Sequence, residues 1–310
     1  MQTLVSDDEN GRGEMLLVHH AANRDHAYPP GCLEGLRACL EAGARLIEVD
    51  ISPLADGDFL LYHNGHLDGG TTGQGSVAAC TIACARDLRL VWKDEETPYA
   101  PGTLSQALDL LTSHSQPVEL QLDLKPHSPL TEAVLAGLAR MLEPYGDRVR
   151  VSSAGDWAIR SLHALAPSLR LGYDPLLYIE PDMGDEKDRK RPPYRVGAYG
   201  YRDDHPLAMM RWGSMADYLS ARAEALWTQV PIAGAIWYIR ASLLGCMLDD
   251  GFDWISDLRQ RGAQVDAWTL DAREPEQVTL AQRLAAAGVD RVTTNDAPAL
   301  AIALGSEVEF

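Results

Sequence analysis

No stretch of about eighteen consecutive apolar residues occurs in the 310-residue chain, so no segment is expected to span a membrane. The opening residues, MQTLVSDDENGRGEM, are acidic and hold no apolar run, so no signal peptide is expected there. Cysteine is scarce: Cys32, Cys39, Cys80, Cys84 and Cys246 make an odd number. Cys80 and Cys84 have no second pair to complete a zinc template. Reduced thiols in a cytoplasmic protein are the expectation, with Cys80 and Cys84 buried rather than redox partners. Positive charge is also short, with 27 Lys and Arg against 45 Asp and Glu, a net charge of −18. Such a chain repels nucleic acid and anionic membranes at long range. An anionic substrate would need a local device, a metal or a few placed cations. No internal repeat stands out.

What the chain does have is apolar material in a regular order. Hydrophobic residues make up 46% and charged residues 23%, enough for a large core and too much for global disorder. Strand-length apolar runs fall at 15–19, 46–51, 118–124, 149–153, 169–173, 235–239, 265–269 and 291–294. Helical patterns fall at 32–42, 104–112, 129–142, 156–165, 243–261, 275–287 and 298–304. Ser128-Pro129 and Asp296 read as helix starts, and Gly43, Gly262 and Gly288 as helix stops. The alternation predicts an α/β fold, a (β/α)8 TIM barrel forming one domain over 1–310 with insertions at 65–101 and 180–229.

The most informative stretch is RLIEVDISPLADGDFLLYHNGHLDGGTTGQG, residues 45–75. Side chains two apart on a strand share a face, so Glu48 and Asp50 point together and Ile47, Val49 and Ile51 point the other way. LADGD is a turn signal, which makes 59–62 the return strand of a hairpin and carries His63 back beside the acids. The run ELQLDLKP repeats the device, with Gln121, Asp123 and Lys125 on one face. Both acid clusters end a strand, where barrel active sites form. Carboxylates converging there repel unless a cation joins them, and all-oxygen ligands favour Mg2+, Ca2+ or Mn2+. Salt bridging, as of Asp123 to an arginine, is the alternative reading. His19 and His20 end the first strand, and adjacent residues face opposite sides, so only one of them is expected to enter the barrel mouth. His19 with His63 makes a pair able to supply acid and base near neutral pH.

The ordered segments LLVHHAANRD, GARLIEVDISPLADGDFLLYHNGHLDGGTTGQG, VELQLDLKP, VDAWTLD and AAAGVDRVTTNDAPAL resemble the glycerophosphodiester phosphodiesterase family. The resemblance runs from Met15 to Leu304 apart from the second insertion. It implies a (β/α)8 barrel with a small insertion after the second strand. By position it implies His19 and His63 as the catalytic histidines and Glu48 and Asp50 as metal ligands. Asp123 stands where most members have a third metal-binding glutamate and sphingomyelinase-D-like relatives have aspartate. Lys125 matches a phosphate-contacting lysine, and Trp268 a wall of the substrate site. A divalent metal, Mg2+ or Ca2+ with Mn2+ open, and a small phosphodiester substrate follow from the resemblance. The chain departs from the pattern in three places. His19-His20-Ala21 replaces His-Arg-Gly, with Arg24 as a stand-in for the arginine. Pro29-Pro30-Gly31-Cys32 replaces Pro-Glu-Asn-Thr. Asn64 replaces the aspartate after the second histidine.

The leading expectation is a metal-dependent phosphodiesterase that cleaves glycerophosphodiesters or a related small phosphodiester to a phosphomonoester and an alcohol. A lysophospholipase D or sphingomyelinase-D-like activity stays open, supported by the methionine- and tryptophan-rich part of the second insertion. A non-catalytic phosphate-binding barrel, motivated by the lost motifs, is the rival from another class, and a metal-dependent sugar isomerase is a more remote one. KDRKRPPYR, residues 187–195, is read as a solvated loop of alternating charge rather than a headgroup grip. Met209, Met210, Trp212, Met215, Leu219, Leu226 and Trp227 are read as a helix packed on the core, with an acyl-chain lid or a homo-oligomer interface as the other readings. Gly73 and Gly75 are too little for a phosphate loop.

Overall fold

The computed structural model describes residues 15–125 and 128–305. Eight parallel strands are labelled here β1 (Leu16–His19), β2 (Leu46–Pro53), β3 (Glu119–Leu124), β4 (Val149–Ser153), β5 (Arg170–Tyr173), β6 (Ile236–Arg240), β7 (Gln264–Trp268) and β8 (Arg291–Thr294). Their order in one sheet is β1-β8-β7-β6-β5-β4-β3-β2, and β1 also pairs with β2. This is the (β/α)8 topology expected from the alternation. The five cysteines form no disulfide; Cys80 is buried as expected, whereas Cys84 is exposed. No helix among the described residues is long and apolar enough to cross a membrane.

The chain divides into two compact units. The first comprises 17–171 with the described residues from Thr294 onward. Its strands are almost wholly buried, because Ile47, Val49, Ile51, Leu120, Leu122, Leu124, Val149 and Val151 present apolar branches to their surroundings. Helix α1 (Leu33–Glu41) opens where the Cys32 thiol accepts from the Gly35 N–H. A short helix α2 (Ile82–Asp87) starts at Thr81, and α3 (Leu104–Ser113) at a reciprocal Thr103–Gln106 capping box. Helix α4 (Glu132–Leu142) begins at Thr131, not at the expected Ser128-Pro129, and α5 (Asp156–Leu165) follows as predicted. Buried Glu119 of this unit is matched: Arg150 donates to both of its carboxylate oxygens, and Arg170 reaches it at 3.0 Å. The insertion after β2 closes over its own apolar cluster of Leu54, Leu60, Tyr62, Leu67, Val77 and Leu90.

The second unit comprises 172–293 with the strand start at 15–16. Its core is aromatic: Trp237 meets Tyr173 at 5.0 Å and Trp254 at 5.8 Å edge-on, and stacks on Trp227 at 5.9 Å. Helix α6 (Met215–Gln229) starts at a Ser214–Asp217 capping box and buries Tyr218, Leu219 and Leu226. The packed-helix reading holds for that part, but Met209, Met210 and Trp212 precede the helix and are exposed. The single helix expected over 243–261 is two, α7 (Ala241–Asp249) and α8 (Trp254–Gln260). Gly251, at φ +87°, ends the first, and Asp253 caps the second by accepting from the Ser256 N–H. Helices α9 (Pro275–Ala287) and α10 (Ala297–Leu304) close the chain, α9 in the second unit and α10 in the first, with left-handed Gly288 and Gly305 just past their ends.

Candidate functional site

The alternation along β2 puts Glu48 and Asp50 on one face, and the parallel register of β2 with β3 sets Asp50 opposite Asp123. Carboxylate oxygens of Glu48, Asp50 and Asp123 come within 4.8 Å of one another. Glu48 is buried, and its carboxyl is pushed well above the usual range by that burial and then by the charges of Asp50 and Asp123. Lys125 continues β3 and turns its ammonium into the cluster, 2.6 Å from Asp123 Oδ2 and 3.6 Å from Asp50 Oδ1. Burial disfavours its charge, but Asp123 and Asp50 outweigh that and hold the ammonium above its ordinary value. The Ser152 hydroxyl lies 3.4 Å from the other Asp123 oxygen. The salt-bridge reading of Asp123 is therefore met in part, by a lysine rather than an arginine. One ammonium does not neutralise three carboxylates, and an all-oxygen donor set of this span suits a hard divalent cation.

His19 sits at the end of β1, 4% exposed. Neither ring nitrogen finds a hydrogen-bond partner among the described residues. Burial, with a smaller contribution from Arg24, drives its pKa down to about 4, so the ring is neutral at physiological pH and can accept a proton. The chain then turns sharply through His20–Ala22, with Ala21 at φ +51°. That turn aims the Ala21 N–H at Glu48 Oε2, at 2.7 Å. It also brings His20 Nε2 to 3.9 Å from the same oxygen, while His20 Nδ1 lies 2.8 Å from Asn295 Oδ1. Asn23 donates to that amide oxygen as well, so Asn295 ties down the whole turn.

His20 and Asn295 are the residues that sequence reasoning missed. Strand alternation excluded His20 from the site, but the strand stops at His19, so alternation no longer governs His20. The signal for Asn295 was the TTNDAP segment itself, read as a match without a role.

The expected hairpin forms. Phe59–Leu60 pairs antiparallel with the end of β2, and the Tyr62 N–H donates to the Asp50 carbonyl at 3.1 Å. His63 follows, exposed, with Nδ1 3.2 Å from Asn64 Oδ1. His63 and Asp50 border one pocket of about 250 Å³, together with Pro29, Gly31, Asn64 and Trp92. Pro29-Pro30-Gly31 forms part of its wall, in the place where the family motif differs. Gly31 is obligatory there, since at φ +84° a Cβ would fall 2.1 Å from the Leu61 carbonyl oxygen.

Two further residues were expected at the substrate site, Arg24 and Trp268. Arg24 donates from its guanidinium to the Ala38 carbonyl of α1 at 2.8 Å, which commits the side chain to the helix. Trp268 lies in the second unit, at the end of β7, with the Arg240 guanidinium 4.8 Å from its ring centre. Arg240 is itself held by buried Glu180 at 2.8 Å, whose carboxyl burial pushes up to about 7 against the pull of Arg240 and Arg202.

Comparison with known proteins gives a consistent answer. The profile of the Glycerophosphoryl diester phosphodiesterase family matches residues 19–177, about half the chain and the part that carries His19, His20, Glu48, Asp50, His63 and Asp123. A Mycobacterium tuberculosis protein named "Probable glycerophosphodiester phosphodiesterase 1" is 28% identical over 187 residues, covering 54% of this chain and 68% of that protein. Among solved structures, a phosphodiesterase of Oleispira antarctica in complex with the product sn-glycerol-3-phosphate superposes with a TM-score of 0.61 at 19% identity, covering 94% of this chain and 97% of that one. A glycerophosphodiester phosphodiesterase of Parabacteroides distasonis does so with a TM-score of 0.62 at 18% identity, covering 95% and 99%.

Proposed function

Because the chain belongs to the glycerophosphoryl diester phosphodiesterase family, and so to the phosphoric diester hydrolases, we propose that it cleaves glycerophosphodiesters or a closely related small phosphodiester to a phosphomonoester and an alcohol, using a divalent metal and the pair His19 and His63. The observation that carries this reading is the convergence of Glu48, Asp50 and Asp123 within 4.8 Å, with Asp50 and His63 bordering one pocket. The Oleispira antarctica relative holds sn-glycerol-3-phosphate, a monoester of the kind this reaction would release.

Glu48, Asp50 and Asp123 would hold the metal, Mg2+, Ca2+ or Mn2+ by the hardness of the donors. When bound, the ion neutralises charge on the phosphoryl oxygens. The Lys125 ammonium is available for a second positive contact to the phosphate, once the metal takes up part of the carboxylate charge. His19 is neutral and buried, which suits it to accept the proton of the attacking hydroxyl, whether of water or of the substrate. His63 faces the pocket, and an Nδ1–H donated to Asn64 would leave Nε2 for the leaving alcohol, to which it gives a proton. The Ala21 N–H, which donates to Glu48 Oε2, would hold that carboxylate for the metal, and His20 would add to this when protonated. A pocket of about 250 Å³ is below the usual range for drug-sized ligands, which favours a headgroup-sized alcohol over an acyl-bearing one.

The test is to incubate the protein with glycerophosphoglycerol and glycerophosphocholine in Mg2+, Ca2+ or Mn2+ and follow phosphorus by NMR. Conversion of the diester signal to a monoester is the expected result. Diester left intact under every metal would refute the reading.

A further inference from the structure

Nine large hydrophobic side chains are exposed among the described residues, and six of them fall between positions 183 and 212: Met183, Tyr194, Val196, Met209, Met210 and Trp212. The concentration is not what a random scatter of surface apolar residues gives. Hydrogen bonds of backbone and side chains tie most of this segment into one small lobe. Ala198 N–H donates to the Ala208 carbonyl at 2.7 Å, and Arg211 Nε to the Ala198 carbonyl at 3.2 Å. Trp212 N–H donates to the Tyr199 hydroxyl at 3.0 Å, and Asp203 N–H to the Arg195 carbonyl at 2.7 Å. Buried Arg202 gathers the carbonyls of Asp188, Arg191 and Pro193 from the preceding loop. The strip 194–196 and the strip 209–212 are thereby held to one folded frame.

The charge of the lobe opposes that of the chain. Within 187–195 there are five basic residues and one acid, Asp188. Across 182–211 the count is seven Lys and Arg against six Asp and Glu, a net of +1, while the remainder carries 20 against 39, a net of −19. The six acids are not evenly available. Asp203 is buried against Arg222, Asp182 pairs with Arg189, and Asp204 with Arg195. Lys187, Lys190, Arg191 and Arg211 make no ion pair among the described residues, and Asp185, Glu186 and Asp188 are the acids left near them in the chain.

We propose that this lobe is a docking surface for an anionic lipid bilayer. Exposed tryptophan, tyrosine and methionine beside unpaired lysine and arginine is the composition of an interfacial anchor: the apolar groups enter the headgroup boundary and the cations meet the anionic lipid. Of the acids outside the lobe, Asp250 accepts from the Tyr201 hydroxyl and Asp217 from Ser214 at its edge; exposed charges more than about 10 Å away are screened at 0.1 M salt. Docking would hold the enzyme at a surface from which phosphodiesters derived from lipids are released.

Co-sedimentation of the full chain with vesicles of pure phosphatidylcholine, or of phosphatidylcholine mixed with phosphatidylglycerol, tests this. The expected result is binding to the anionic vesicles, weaker by at least about tenfold to the neutral ones and lost as salt rises. Lys190→Glu with Arg191→Glu, and separately Met210→Asp with Trp212→Asp, should each weaken binding by at least about tenfold with unchanged melting temperature. Absence of binding to anionic vesicles would overturn the proposal. So would a dimer in light scattering that Met210→Asp dissolves, because the covered face would then belong to a second copy.

Discussion

Lys125 Nζ donates to Asp123 Oδ2 across 2.6 Å and stands 3.6 Å from Asp50 Oδ1. The cluster thus carries an internal counter-ion, at the residue expected to contact phosphate. The lysine and a metal would compete for the same carboxylate charge. Lys125→Met should therefore lower the melting temperature in EDTA and enlarge the gain on adding Mg2+, because the acids lose their only described ammonium partner. It should also cut kcat/KM by about 10²-fold, the scale of losing one oriented charge contact to a phosphoryl group. Equal Mg2+-induced shifts in the variant and the wild type would contradict this account of Lys125.

The histidine pair makes a kinetic prediction. Each of His19→Ala and His63→Ala should lower kcat by about 10²–10⁴-fold, and the double variant should lose much less than the product of the two. The wild-type profile of kcat/KM against pH, which reports the free enzyme, should be bell-shaped. Its acid limb lies well below neutrality, since His19 must be unprotonated and burial holds it down to about 4. Its alkaline limb marks loss of the donor proton. A profile flat from about pH 5 to 9 would argue against a paired acid and base.

Burial of His19 also has a cost in stability with a definite sign. The folded ring titrates near 4 and the unfolded one near 6.5. Its depressed folded value means that stability is fully present above 6.5 and is lost as pH falls toward 4, by up to about 3 kcal/mol. Glu48 works the other way, because its raised carboxyl is relieved by protonation as pH falls. Urea unfolding in EDTA at pH 7 and pH 5 should show a smaller loss for His19→Asn than for the wild type. Identical losses would contradict the buried, neutral state of His19.

Ala21 holds a left-handed conformation, φ +51°, at the position where the family usually has glycine. An L side chain there costs about 1 kcal/mol. Ala21→Gly should raise the melting temperature by about 2 °C, the net of relieved strain and added unfolded-state entropy, without loss of turnover. A fall in melting temperature would mean that the turn is not strained.

Most of the fold was legible because buried parallel strands and amphipathic helices leave a strong imprint. β4, β8, α5 and α9 begin and end where the periodicity put them. The hairpin after β2 was legible for the same kind of reason, a turn signal between two apolar runs. The break between α7 and α8 was not, since Asp250-Gly251-Phe252-Asp253 interrupts an apolar rhythm that continues on both sides. In the site, the acids and the lysine could be placed by alternation alone, and His63 by the hairpin. His20 could not, because its approach to Glu48 depends on a tight turn with two left-handed alanines that no local propensity favours. The hydrogen bond of Arg24 to the Ala38 carbonyl was not legible either, because nearness in the chain says nothing about where a long side chain ends. Met209, Met210 and Trp212 share helical spacing with the residues of α6 but lie before its cap, so their exposure was hidden in the pattern.

The most direct test of the central claim is metal-restored turnover. The protein would be stripped with EDTA and assayed on bis(p-nitrophenyl) phosphate and glycerophosphocholine with Mg2+, Ca2+ or Mn2+ added back, beside Glu48→Gln and His19→Ala. The account predicts no turnover without metal, recovery with at least one of the three ions, no recovery in Glu48→Gln, and turnover at least about 10²-fold below the wild type in His19→Ala. Turnover that survives EDTA, or that Glu48→Gln retains in full, would contradict it.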